Sequence, residues 1–298
     1  MQISFTKMHG TGNDFIILNG ISQTLPPYLG QLSKKICDRR FGIGADQVLV
    51  VQPSTAADFK MLIFNADGGE VEMCGNGIRC FAKYVRDQGL TQQTELVVET
   101  AAGLIKPEIV LDHPRTIPST LWVKVDMGEP QSIHAKTSPA VVQLPPWNIE
   151  VPITVDQVPA SWRSDDQRRF FINEISMGNP HCVIFVHDVE HYPVERVGPY
   201  FENHPRFPNR TNVEFVQIID RNRIKQRTWE RGVGETLACG TGACASVVAS
   251  VLNNMTDKNV TVSLKGGDLE IKWSQRTGHV IKTGPATTVF EGEIQAQS

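Results

Sequence analysis

The sequence predicts an α+β fold, and three observations carry that prediction. Short runs rich in Val, Ile, Leu and Phe, bounded by turn residues, recur along the chain. Apolar residues at helical spacing are confined to a few stretches, and several segments return in the same order at nearly the same separation. In chain order, Tyr28, Leu32 and Ile36 share one helical face. Strands are expected at 47–51 and 61–64. Ile78, Phe81, Ala82 and Val85 then fall at i, i+3, i+4 and i+7, up to a stop at Gly89. Further strands are expected at 96–99, 121–125, 182–186 and 213–219. Ala243, Val247 and Val251, flanked by Cys244, Val248 and Leu252, form another apolar helical face ending near Asn253. Strands at 260–264 and 269–273 follow it.

At 298 residues the chain has room for two modest domains. Hydrophobic residues make up 40% and charged residues 20%, which excludes a disordered or collagen-like chain; a net charge of −3 leaves no basic excess to attract nucleic acid. The longest strongly apolar stretches, 48–51 and 182–186, are far too short to span a bilayer, so no membrane partner is expected. Residues 1–10 contain no apolar run followed by a small-residue cleavage site, which predicts a cytoplasmic protein. Six cysteines, Cys37, Cys74, Cys80, Cys182, Cys239 and Cys244, are too sparse for a disulfide scaffold and are read as thiols.

The strongest organisational signal is an internal repeat. Cys74-Gly75-Asn76-Gly77 returns as Cys239-Gly240-Thr241-Gly242, 165 residues on. Met8 in the segment 7–16 is echoed by Met177 in 176–183 at a separation of 169, and Asp46-Gln47-Val48 by Glu214-Phe215-Val216 at 168. Agreement in order and spacing implies two halves of one design, the second beginning around Gly128-Glu129-Pro130, ahead of a Pro-rich region at 139–159.

In both copies a Cys precedes Gly-x-Gly and an apolar helical stretch, which places the sulfur at the first turn of a helix. Unpaired N–H groups and the helix dipole at that position lower a thiol pKa and hold anions. The glycines Gly75, Gly77, Gly240 and Gly242 are read as clearing space for a ligand to approach the backbone. A duplicated fold with one such motif per half brings two thiols to one ligand about an approximate two-fold axis. That pair suits removal of a proton from one face of a carbon next to a carboxylate and its return on the other, one sulfur as thiolate base and one as thiol acid.

The segments 64–77 and 230–243, with 8–15 and 176–181, resemble the diaminopimelate epimerase family over nearly the whole chain. The resemblance implies two pseudo-symmetric domains, each a mostly antiparallel sheet wrapped around a central helix, with the active site in the cleft between them. Their expected extents are 1–128, with 285–298 returning to it, and 129–284. It also implies an enzyme of lysine and peptidoglycan precursor biosynthesis that interconverts LL- and meso-diaminopimelate, using no cofactor and no metal and usually forming a homodimer. Carried over by position, Cys74 and Cys239 match the catalytic cysteines. Gly75, Asn76, Gly240 and Thr241 match the donors to the reacting carboxylate, with Asn13 and Gln47 lining the same end. Asn65, Asn179, Asn212 and Arg231 resemble the groups that bind the distal amino-acid end, where a guanidinium is a natural bidentate partner for a carboxylate. His181 and Glu230 match residues that tune the thiols and position the substrate amine. Gly69 and Val233 depart from the commoner Ser and Ala without removing a needed group.

Taken singly, these residues have plainer readings: His181 as a structural histidine, the asparagines as turn residues, Arg231 as a solvated charge. Cys37, Cys80, Cys182 and Cys244 are expected to be buried hydrophobes, and Gly12 and Gly44 turn residues. A proline or hydroxyproline racemase of the same fold would keep both cysteines but act on a one-ended substrate, which the set headed by Arg231 opposes. A redox or zinc protein is opposed by spacings that are not C-x-x-C, and a pyridoxal enzyme by the absence of Lys from both motifs.

Overall fold

In the computed structural model the described residues are 1–72, 74–133, 149–152 and 169–295. Most of the Pro-rich region and Met73 lie outside them. The chain divides into two compact units, one formed by 1–126 with 283–298 and the other by 127–282. Both are sheet-dominated with few helices, an α+β architecture.

The first unit runs β1 (Gln2–Gly10), β2 (Asn13–Asn19), α1 (Leu29–Ile36), β3 (Gln47–Gln52), β4 (Phe59–Asn65), α2 (Gly77–Asp87), β5 (Val98–Thr100), β6 (Gly103–Ile105), β7 (Pro107–Val110) and β8 (Thr120–Asp126). In the second, β9 (Ile149–Pro152) and β10 (Arg169–Ser176) precede β11 (Pro180–Phe185), α3 (Val194–Glu202), β12 (Asn212–Asp220), β13 (Arg223–Glu230), β14 (Gly234–Thr236), α4 (Gly240–Leu252), β15 (Asn259–Leu264) and β16 (Gly267–Trp273). The last strand, β17 (Val280–Gln295), starts with the second unit, and from Thr283 onward its residues belong to the first.

One series of strand pairings recurs in the two units. β1–β2 is antiparallel, β2–β3 parallel, β3–β4 antiparallel, β4–β5 parallel and β5–β6 antiparallel. The series β10–β11, β11–β12, β12–β13, β13–β15 and β15–β16 repeats that alternation step for step. Duplication is thus present in the ladders as well as in the motifs.

Helices α2 and α4 are buried almost all round, a pattern that requires enclosure rather than a one-sided seat. α2 touches β1, β2, β3, β7 and β8, and α4 touches β10, β11, β12, β15 and β16, so each sheet wraps its own helix. α4 fits because its residues are small: Ala243, Cys244, Ala245, Val247, Val248 and Ala249 pack against Ile175, Val183, Val216, Val262 and Leu269. Each fully buried Val or Leu contributes roughly 1.5–3 kcal/mol, so this layer holds the helix firmly against its sheet. α2 instead carries two buried cations, Arg79 and Lys83. Lys83 pairs with Asp87 one turn on.

Helix α3 is absent from the sequence reading, because Gly198 and Pro199 sit mid-helix and both disfavour that conformation. Gly198 is required there: a Cβ would lie 2.4 Å from the Trp229 ring. The strand expected at 96–99 forms two residues later, as β5, and Tyr28 caps α1 rather than joining it.

Candidate active site

In the first unit β1 and β2 are joined by a two-residue turn in which Thr11 has φ 54° and Gly12 φ 87°, the left-handed geometry of a tight hairpin. That turn delivers Asn13 beside the start of α2. Asn13 Oδ1 accepts from the Cys74 thiol at 3.7 Å and from Asn76 Nδ2 at 3.3 Å. The Gly77 N–H donates to Cys74 Sγ at 3.4 Å, and the Ile78 N–H donates to the Cys74 carbonyl at 3.0 Å. The sulfur of half-buried Cys74 therefore takes the place of a capping oxygen at the head of α2.

Arg79 fixes this loop from within. Its guanidinium donates to the Gly75 carbonyl at 3.3 Å, Asn76 Oδ1 at 2.9 Å, Thr11 Oγ1 at 3.2 Å and the Pro285 carbonyl at 3.2 Å. The sequence reading missed Arg79, although an arginine inside the apolar run from Ile78 to Val85 is a visible anomaly. Nearby, Gln47 Nε2 donates to Asn65 Oδ1 at 2.8 Å, while Gln47 Oε1 is buried with no hydrogen-bond partner among the described residues. Leaving such an acceptor unpaired costs about 1–3 kcal/mol.

The second unit repeats the capping geometry. Cys239 is the N-cap of α4; Gly242 N–H donates to its sulfur at 3.4 Å, and Ala243 N–H to its carbonyl at 3.0 Å. Around it the structure brings together His181, Asn179 and Thr241. His181 Nε2 meets Asn179 Oδ1 at 3.0 Å, Asn179 Nδ2 donates to Thr241 Oγ1 at 3.3 Å, and that hydroxyl lies 3.5 Å from Cys239 Sγ. His181 Nδ1 lies 2.8 Å from Glu214 Oε1, with both side chains fully buried. His181, Glu214 and Cys239 present ligand atoms all within 4.8 Å of one another, the one such trio among the described residues. These atoms could hold a soft divalent ion, a possibility that the cysteine-spacing argument does not address. The short His181–Glu214 contact, however, already pairs two of the three with each other.

Glu230 accepts from Thr236 Oγ1 at 2.5 Å. Asn212 is occupied at both ends of its amide, donating to the Pro180 carbonyl at 3.0 Å and accepting from the Arg231 N–H at 3.0 Å. Arg231 is exposed, with one guanidinium N–H on the Asn209 carbonyl at 3.2 Å. Its loop is anchored by Glu202 at the end of α3, which accepts from Gly232 N–H, Trp229 Nε1 and Arg210.

Three expectations are corrected. A helix start was expected to lower the thiol pKa. At Cys239 burial first, then the carboxylates of Glu230 and Glu214, push the thiol well above its ordinary range, outweighing the Thr241 hydroxyl and the Gly242 N–H. The sequence reads the second glycine of each motif as ligand space. A Cβ on Gly242 would instead lie 2.5 Å from Glu214 Oε1, and one on Gly77 would lie 3.2 Å from Leu49, 3.3 Å from Cys74 and 3.4 Å from Phe15, so both glycines make room for the protein itself. The outer repeats were aligned at separations of 168 and 169. Strand register places Gln47 opposite Phe15 and Asn212 opposite His181, with Val48 against Phe64 and Val213 against Trp229, which matches Gln47 with Asn212 at the same 165 as the cysteines.

The remaining cysteines, Cys37, Cys80, Cys182 and Cys244, are buried. Burial pushes the Cys37 thiol up to about 11 and the Cys80 thiol to about 12. No helix among the described residues is long and apolar enough to cross a membrane.

The family model for diaminopimelate epimerase matches residues 5–133 and 174–289. The chain is 49% identical over 290 residues to the diaminopimelate epimerase of Moorella thermoacetica, covering 97% of this chain and 98% of that one. It is 46% identical over 292 residues to that of Methanococcus maripaludis strain C5, covering 98% and 99%. Among solved structures, a PhzF-family phenazine biosynthesis protein of Bacillus anthracis superposes with a TM-score of 0.71 at 17% identity, over 99% of this chain and all of that one. A hydroxyproline epimerase of Agrobacterium vitis does so with a TM-score of 0.64 at 14% identity, over 98% and 92%. At such identities these two show a shared fold.

Proposed function

Because the chain belongs to the diaminopimelate epimerase family, we propose that it interconverts LL- and meso-diaminopimelate by proton transfer at one α-carbon, in lysine and peptidoglycan precursor biosynthesis. The observation that carries this reading is the twice-built cysteine: Cys74, just ahead of α2, and Cys239, the N-cap of α4, each accept an N–H at sulfur at 3.4 Å and another at the carbonyl at 3.0 Å. One thiolate removes the α-proton and the other thiol delivers a proton to the opposite face; reversing their roles runs the reaction backwards. The carbon acid is weak, so charge growing on the substrate carboxylate must be stabilised, a task that suits the N–H groups at Gly75, Asn76, Gly240 and Thr241.

Asn13, held at the Cys74 cap, and Gln47, with its spare buried acceptor, suit the substrate's reacting end. Asn65, Asn179 and Asn212, with the exposed Arg231, are assigned to the distal end, where the guanidinium pairs with the second carboxylate. His181 and Glu230 tune the thiols and position the amine. No cofactor or metal takes part. We further propose that the domains run 1–128 with 285–298, and 129–284, and that the protein acts as a cytoplasmic homodimer, where a reducing medium keeps six thiols intact.

Incubation with LL-diaminopimelate in deuterium oxide, with no added cofactor, is expected to place deuterium at the α-carbon that is inverted. Retention of every α-proton while the enzyme turns over would exclude the mechanism. An unchanged rate after exhaustive chelation is expected, and loss of activity restored by zinc would transfer the trio around Cys239 to metal chemistry.

A further inference from the structure

The strand registers make the two half-sites comparable residue by residue. Matching Gln47 with Asn212 matches Phe15 with His181 across the parallel ladders, and Leu49 with Glu214 two residues further along. The glycines confirm it, since the Cβ position of Gly77 faces Leu49 and Phe15, while that of Gly242 faces Glu214. Behind one cysteine lie two apolar side chains, and behind the other lie an imidazole and a carboxylate.

We propose that Glu214 is a positioning residue for Cys239, its carboxylate holding the proton on His181 Nδ1 and so orienting the hydrogen-bonded chain His181–Asn179–Thr241 that ends on the Cys239 sulfur. Every link is within hydrogen-bonding reach: 2.8 Å from Glu214 to His181, 3.0 Å to Asn179, 3.3 Å to Thr241 and 3.5 Å to Sγ. The chain closes on itself, because a Glu214 carboxylate oxygen also lies within 4.8 Å of that sulfur. A wholly buried carboxylate costs several kcal/mol unless it is compensated, and Glu214 Oε2 has no hydrogen-bond partner among the described residues. Packing alone would be better served by the leucine found at the matching position. Asn179 Oδ1 can only accept, so the ring donates at both nitrogens, Nδ1–H to the Glu214 carboxylate and Nε2–H to Asn179. Burial first, then the carboxylates of Glu230 and Glu214, push the Cys239 thiol up, the direction that suits a proton donor.

The assignment deepens the proposed epimerisation, and its kinetic arm rests on that reading; its spectroscopic arm does not. In wild-type protein labelled with nitrogen-15 at histidine, His181 Nδ1 is expected to carry hydrogen, with the downfield proton of a carboxylate-bound ring. Glu214→Gln keeps the shape and is expected to move that proton upfield and lower kcat about tenfold, with KM within about twofold. Wild-type His181 protonated on Nε2 alone overturns the assignment, even if the variant does not fold. A folded variant with kcat within about twofold of wild type also overturns it. A wild-type protein inactive on diaminopimelate would sink the proposed function, and the imidazole resonances would still decide the pairing.

Discussion

The two cysteine caps are alike at the backbone and unlike behind it. Cys74 and Cys239 each receive an N–H from the second glycine of their motif at 3.4 Å, yet Cys74 is half-buried and Cys239 is 6% exposed. Phe15 and Leu49 back the first, His181 and Glu214 the second. Beneath the first loop Arg79 ties Gly75 and Asn76 to the hairpin turn, whereas the matching place in α4, one turn after Cys239, is Cys244, packed in an apolar layer. Duplication thus preserved the N–H to sulfur geometry and changed the side chains behind it. A two-base reaction needs sulfurs in opposite protonation states, and identical surroundings would not supply them.

The comparison fails most visibly if one sulfur is dispensable. Cys74→Ala and Cys239→Ala should each lower turnover by on the order of 10³-fold or more while circular dichroism stays unchanged. Near-normal turnover in either would leave a single-thiol enzyme. Next in size is the contrast between glycines. Gly242→Ala drives a Cβ to 2.5 Å from the Glu214 carboxylate and should destabilise the fold by about 2–3 kcal/mol; Gly77→Ala meets side chains at 3.2 Å or beyond and should stay within about 1 kcal/mol. Urea midpoints distinguish them, and equal losses would erase the asymmetry.

A third difference lies at the turns. Asp14 follows Asn13, where Pro180 follows Asn179. Burial raises the Asp14 pKa, but hydrogen bonds from Arg39 and Lys7 outweigh it and hold the carboxyl at about 2. Its folded pKa lies below its unfolded value of about 3.9, so its contribution is full above that pH and is lost as the pH falls to about 2. Asp14→Asn should therefore lower stability by about 1 kcal/mol at neutral pH, a figure reduced for the exposure of Arg39, and by nothing below pH 2. A constant deficit across that range would mean that the side chain acts through packing. Smallest is a rate: iodoacetamide should reach Cys74 several-fold faster than Cys239 and leave Cys80 and Cys182 untouched, read by peptide mass mapping. Equal labelling would remove the distinction in access.

Much of this was legible in the chain. The apolar periodicity from Ile78 and from Ala243 located α2 and α4, and the paired Cys-Gly-x-Gly strings located their caps. Local pattern could not reveal register. Val213-Glu214-Phe215-Val216 reads as an ordinary strand with one polar side, whereas β12 is buried on both faces there and its glutamate points inward to His181. The same limit hid the true repeat separation in the outer strands, because hairpin turns of different length shift one copy against the other. The helix α3 was hidden by a glycine that exists to admit Trp229.

The first and last strands lie zipped together, Gln2 against Gln295 and His9 against Thr287. The unit that begins first along the chain is therefore completed only after the other, since its sheet stays open along β1 until β17 is made. A nascent chain must hold that edge unpaired through the synthesis of its entire second half, and a truncation of a dozen residues at the tail would injure the head.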